Sequence, residues 1–206
     1  MDCHEIAGRR LLFVMAATPE YGPHLQARFK PLLTGVGPIE AGIVMGAALQ
    51  RLKDGTGLPD LVVAIGSSGS RRRPVGEVFQ ISHVAWRDID ASRLGFAKGV
   101  TPFLDHPVSM PLATPLDWPT ATLSTGGAVI GGEDYAAIDA DLVDMETFAY
   151  LRACQHFDVP LMALRGVSDG PGELSDMPGW TELLHLLDER LAIAVDRLFE
   201  TIGGAS

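Results

Sequence analysis

Val143-Asp144-Met145-Glu146-Thr147 opens the stretch that decides this fold, and Pro160-Leu161-Met162-Ala163-Leu164-Arg165-Gly166-Val167-Ser168-Asp169-Gly170 closes it. Asp141 to Met145 reads as a short strand, Thr147 to His156 as a helix, and Pro160 to Val167 as an apolar core strand. Strand, helix and strand in this order predict a mainly parallel α/β sheet. Each acid stands at the edge of an apolar run. An ionised carboxylate is costly to bury unless a partner pairs with it or hydrogen-bonds to it. Acids at strand ends in such a sheet therefore point to a polar ligand held between them.

The same alternation extends outward. Leu11 to Ala17 reads as a buried first strand and Pro31 to Thr34 as a short one. Gly35-Val36-Gly37-Pro38 turns into a helix whose apolar stripe is Ile39, Ile43, Val44, Ala47 and Leu52. Leu61 to Ile65 is a further buried strand, ending in Gly66-Ser67-Ser68-Gly69-Ser70. Val78 to Trp86 is β-rich, and Arg87 to Pro119 reads as a long, partly irregular loop. Thr120 to Thr125 is a strand that opens into Gly126-Gly127. Thr181 to Ile202 is the clearest helix, with Leu184, Leu187, Leu191, Val195, Leu198 and Phe199 on one side. The expectation is an α/β fold: one domain over residues 1–206, with a mainly parallel, mixed central sheet flanked by helices.

Bulk properties narrow the function classes. The 206 residues suit one large α/β domain. A formal net charge of −10 disfavours nucleic acid and anionic membrane as partners. Arg71-Arg72-Arg73 is a local exception and reads as a solvated turn. Cys3 and Cys154 offer neither a disulfide framework nor metal-ligand spacing, and the six histidines are scattered. No metal and no cofactor are expected. The apolar run from Leu11 is too short for a signal-peptide core or a membrane span, so a cytoplasmic protein is expected.

Several short motifs, in order, carry a resemblance. They are Ala16-Ala17-Thr18-Pro19-Glu20, Thr34-Gly35-Val36-Gly37, Ile65-Gly66-Ser67-Ser68-Gly69, Val75-Gly76-Glu77 and Arg87-Asp88-Ile89-Asp90-Ala91. Val143-Asp144-Met145-Glu146 and Arg165-Gly166-Val167-Ser168-Asp169 complete the set. Together they span residues 16 to 169 and resemble the nucleoside phosphorylase/nucleosidase superfamily, most of all its 5′-methylthioadenosine/S-adenosylhomocysteine nucleosidases. The resemblance implies a nucleoside phosphorylase-like fold, a small-molecule nucleoside substrate, a homodimer and a place in methionine salvage.

It also implies a task for each residue. Asp169 matches the acid that protonates N7 of adenine, with Ser168 orienting it. Glu20 matches the base that activates water. Glu146 matches the residue that grips the ribose hydroxyls, with Met145 packing on the sugar. Gly66 and Ser67 belong to a loop whose backbone N–H groups could hold an anion. Val129 and Ile130 fall in the segment that holds the base, Ile130 through its main chain. The family usually has an aromatic residue where Val129 stands, so aliphatic contact would replace base stacking here. Phe96, Pro102 and Phe103 match a region that a neighbouring subunit lends to the 5′ end of the substrate.

The residues alone leave alternatives open. Glu20 could be a solvated loop acid, Glu146 a cap of its own helix, and Asp169 a turn acid before Gly170-Pro171-Gly172. Gly66 to Gly69 could be no more than a tight strand-end turn. Phosphorylases of the superfamily place an arginine where this chain has Ala64, which favours water over phosphate as nucleophile, unless Arg71 to Arg73 compensate. A non-catalytic nucleoside-binding protein is the third possibility.

Overall fold

The computed structural model describes residues 3–170 and 177–204. Pro171 and Gly172 of the expected turn lie outside the described residues. In chain order the strands are β1 (His4–Ile6), β2 (Arg9–Met15), β3 (Leu32–Leu33), β4 (Leu61–Gly69), β5 (Val78–Trp86), β6 (Ser109–Pro111), β7 (Thr120–Thr125), β8 (Leu142–Asp144) and β9 (Leu161–Asp169). The helices are α1 (Pro23–Gln26), α2 (Pro38–Asp54), α3 (Thr147–His156) and α4 (Met177–Gly203).

The sheet is mixed and mainly parallel. β2 runs parallel to β3 and β4, and β4 parallel to β9. β5, β7 and β8 form a second parallel group. The groups meet where β9 pairs antiparallel with β5, and again where Gly69 pairs with Val143. A closed circuit β4-β9-β5-β7-β8 results, and the C-terminal ends of β4 and β8 meet at that last pair. Loops and side chains leaving those ends converge on one place.

Period-two alternation separates the two cores. On β2, Leu12 and Val14 face one cluster, while Leu11, Phe13 and Met15 face the other. The first cluster packs under α2 and α3, through Met45, Leu49, Phe148 and Leu151. The second packs under α4, through Leu187, Leu191, Val195 and Leu198, as its spacing predicts. Leu184, at the start of that row, is buried, and Phe199 packs at its edge.

Four expectations need correction. The strand expected to be first, Leu11 to Ala17, is the second and ends at Met15: β1 lies before it, antiparallel to β2 through a turn at Ala7-Gly8, both with positive φ. Gly66 to Gly69 is no turn or nest but the extension of β4, paired with β9 and shifting register at Gly69. The buried face of α2 is Ala41, Met45, Ala48, Leu49 and Leu52, whereas Ile39 and Ile43 are 74% and 62% exposed. Small residues bring α2 close to α3, where a Cβ at Gly42 would touch that of Ala149 at 3.9 Å. Arg71 to Arg73 are not uniformly solvated. Arg72 donates to the carbonyls of Ile138 and Asp139, and Arg73 pairs with Asp141 at 3.1 Å.

Candidate active site

A cavity of about 620 Å³ sits where the two strand groups meet. It gathers Glu20, Ser67, Val129, Ile130, Met145, Glu146, Ser168 and Asp169 from five separate segments of the chain. Gly66 does not line it, nor do Phe96, Pro102 and Phe103, which are expected from a second copy. The lack of a side chain at Gly66 serves another purpose. A Cβ there would lie 2.8 Å from Arg165 Nη1 and 3.3 Å from Glu20 Oε1, so both side chains use the space it leaves.

Glu20 ends a short 3₁₀ turn, Thr18–Glu20, directly after β2, and is buried. Its Oε1 accepts the main-chain N–H of Ser67 at 2.7 Å and the Ser67 hydroxyl at 2.6 Å. The β4 extension thus presents its donors to a neighbouring carboxylate. The strap after Glu20 is tied down from α4. Buried Asp188 accepts N–H groups of His24 (2.8 Å) and Leu25 (3.0 Å), which opens α1.

Glu146 stands at the N-cap position of α3, but its side chain does not cap the helix. Its Oε1 accepts the N–H of Gly37 at 2.8 Å, at the entrance to α2. Gly37 has φ of +97°, a conformation that glycine adopts without strain. Burial pushes the Glu146 carboxyl up to about 7, with repulsion from Asp144 adding to it. Asp144 does the capping instead, accepting the Thr147 N–H at 2.9 Å. It also accepts hydrogen bonds from the Thr125 and Thr147 hydroxyls and forms a 2.9 Å ion pair with Arg165. Both ion-pair side chains are almost fully shielded from water. Arg165 reaches Thr147 Oγ1 as well, at 2.6 Å.

Asp169 closes β9. Its Oδ1 accepts the Ser168 hydroxyl at 2.7 Å and its Oδ2 the Tyr135 hydroxyl at 3.2 Å. Burial raises the proton affinity of this carboxyl, against the pull of those two donors. Across the cavity, Val129 is 65% exposed. Its loop is held from below by Arg87 and Asp88. The Arg87 guanidinium donates to the carbonyls of Ser124, Gly126, Ala128 and Asp144, and Asp88 accepts the N–H of Gly127.

Sequence reasoning missed Arg165, the Asp144 pairing, Tyr135 and the Arg87 clamp. For Arg165 a signal existed: an arginine inside a strand as apolar as Leu161 to Val167 requires a buried counter-charge. No such signal marked Tyr135.

The sequence and fold agree with known proteins. Residues 127–202 match the family model described as the phosphorylase superfamily. The 5′-methylthioadenosine/S-adenosylhomocysteine nucleosidase of Actinobacillus succinogenes is 31% identical over 162 residues, covering 69% of this chain and 68% of that protein. That of Staphylococcus aureus (strain MRSA252) is 26% identical over 166 residues, covering 69% and 70%. Among solved structures, a futalosine hydrolase mutant of Helicobacter pylori superposes with a TM-score of 0.76 at 14% identity, over 91% of this chain and 97% of that one. The Neisseria meningitidis nucleosidase in complex with methylthio-immucillin-A gives 0.74 at 18% identity, over 94% and 98%. The chain belongs to the nucleoside phosphorylase/nucleosidase superfamily. Within it, the likeness in sequence is to the 5′-methylthioadenosine/S-adenosylhomocysteine nucleosidases.

Proposed function

We propose that the protein hydrolyses the N-glycosidic bond of an adenine nucleoside of the 5′-methylthioadenosine/S-adenosylhomocysteine type and releases adenine. The observation that carries this reading is the shared cavity of Glu20, Glu146 and Asp169. Cleavage passes through an oxocarbenium-like sugar, which needs an activated water on one face and a proton for the leaving base on the other. Glu20 takes the water's proton. Both Ser67 bonds fall on its Oε1, which leaves Oε2 for that water. Glu146, ionised, accepts the ribose hydroxyls and stabilises the developing positive charge, while Met145 packs against the sugar. Asp169 protonates the base at N7, and its burial favours the protonated form. Ile130 reads the base edge and Val129 covers its face.

Water rather than phosphate is the nucleophile. Ala64 is buried in the core where phosphorylases of the superfamily carry an arginine. Arg72 and Arg73 are engaged with residues 138–141 and do not line the cavity. Under the same reading the protein is one domain over residues 1–206, a cytoplasmic homodimer working in methionine salvage. The continuous sheet supports the first part. Exposed Val36, Ile39 and Ile43 supply an apolar face for a second copy, whose Phe96, Pro102 and Phe103 would close the 5′ end of the pocket.

Incubation with methylthioadenosine, with and without phosphate, tests the reading. Adenine is expected in both, and Asp169→Asn should bind the nucleoside but lose roughly 10²- to 10⁴-fold in kcat. Release only with phosphate means a phosphorylase. Normal turnover by the variant removes Asp169 from its role.

A further inference from the structure

Tyr135 lies in the 3₁₀ turn Gly132–Ala137 between β7 and β8. Its ring is 2% exposed and packs in a small cluster with Ile138 and Val143. A buried tyrosine must place its hydroxyl on a partner. This one reaches out of its own turn to Asp169 Oδ2 at 3.2 Å, while Ser168 holds Oδ1 at 2.7 Å. The meeting point is kept open by Gly69. A Cβ there would stand 2.6 Å from Asp169 Oδ2 and closer still to the phenol oxygen. The register of β4 against β9 shifts at that same residue. Strand end, turn and glycine thus combine to set a phenol against one oxygen of the acid.

We propose that Tyr135 is a positioning residue for Asp169: its hydroxyl fixes Oδ2 and stabilises the carboxylate left when the proton passes to the base. The inference rests on reading Asp169 as the acid. In the charged state both oxygens accept a hydroxyl. When Oδ2 carries the proton, the phenol turns and accepts from it or gives up the bond. As the O–H bond of Asp169 breaks and the N–H bond of the base forms, the phenol O–H returns to the oxygen that gains charge. The phenol itself stays protonated, since burial and the Asp169 charge both raise its proton affinity.

Few other groups among the described residues bear on this pair. Arg87 faces Tyr135 from the end of β5, with its guanidinium on main-chain carbonyls. Glu20, Asp144 and Glu146 share the cavity. Arg72 and Arg73, after β4, are tied to the 138–141 segment.

The test is the ¹³C titration of the Asp169 carboxyl in the full chain, assigned by its absence in Asp169→Asn. Tyr135→Phe should raise the midpoint by about one unit, as expected for the loss of one hydrogen bond to a charged group. The alkaline limb of kcat should move up with it, while kcat on the acid side falls several-fold. An unmoved midpoint overturns the proposal. So does a uniform loss of kcat with the limb in place. Should Tyr135→Phe not fold, 3-fluorotyrosine at position 135, a stronger donor, must lower the midpoint, and no change there overturns it equally. The two readings fail separately. A moving midpoint in a protein that never releases adenine sinks the nucleosidase reading alone, and adenine release with a fixed midpoint sinks the role of Tyr135 alone.

Discussion

The two ends of the cavity are built on different principles. Around Glu146 the walls are charge and hydroxyl, buried and cross-bonded: Arg165 on Asp144, Asp144 on Thr125 and Thr147, Glu146 on Gly37. Deeper still, the hydroxyls of Thr34 and Tyr150 meet at 2.6 Å. Around Val129 the wall is a loop whose shape is held through its main chain, by Arg87 on carbonyls and Asp88 on an N–H. Val129 is left to solvent and ligand, while Ile130 packs on the Tyr135 cluster. At the first end, changing Arg165 or Asp144 alone orphans a buried charge. At the second, Val129 can change freely, because the clamp on the backbone does not depend on its side chain. The departure from the usual aromatic residue falls at the second end.

Breaking that contrast hardest means removing Arg165. Arg165→Met leaves Asp144 buried beside Glu146 with its counter-charge gone, and the chain should lose about 3–5 kcal/mol of stability in urea denaturation. Replacing Asp144 by leucine in the same chain should recover much of that loss, since the cost lies in the orphaned carboxylate rather than in the missing pair. A single variant as stable as the wild type would mean that the pair does not organise this end.

How far each end was legible in the sequence follows the same division. Strand-end acids are visible because they interrupt apolar runs, and β2, β4 and β9 were readable for the same reason. Asp144 and Arg165 are 21 residues apart in sequence, and their pairing exists only once β8 and β9 are brought together. Tyr135 and Asp169 are separated further, with nothing in a short 3₁₀ turn to mark the tyrosine. α2 was misread on physical grounds. Ile39 and Ile43 are more apolar than Ala41 and Ala48, but close packing on α3 selects for small size over hydrophobicity. The strand extension Gly66 to Gly69 looked like a turn because glycine and serine are weak strand formers, and pairing with β9 overrides that preference.

A smaller effect should come from pH at the Glu146 end. The Glu146 carboxyl is pushed up from 4.5 to about 7, so the folded protein binds this proton more tightly than the unfolded chain does. Its contribution to stability is full below about pH 4.5 and is lost as pH rises through about 7. Nucleoside binding runs the other way, because ribose hydroxyls donate to the ionised form. In Asp169→Asn, where the second acid cannot titrate, methylthioadenosine affinity should fall roughly tenfold per unit below about pH 7 and level off above it. Calorimetry near pH 6 in two buffers of different ionisation enthalpy should show a proton released on binding. Flat affinity across that range would place the ribose elsewhere.

The smallest change sharpens the contrast most. Val129→Phe puts a ring on a side chain that is 65% exposed, on a loop held through its backbone. Urea stability should therefore move by less than about 0.5 kcal/mol, as for surface positions generally. A stacked ring adds about 0.5–1.5 kcal/mol beyond its area, so adenine should bind roughly two- to tenfold tighter. The enzyme's KM for the nucleoside should fall by a similar factor while kcat stays unchanged, because the ring meets substrate and transition state alike. Were Val129→Phe to cost as much stability as Arg165→Met, the loop would depend on its side chains after all, and the two ends of the cavity would not differ in kind.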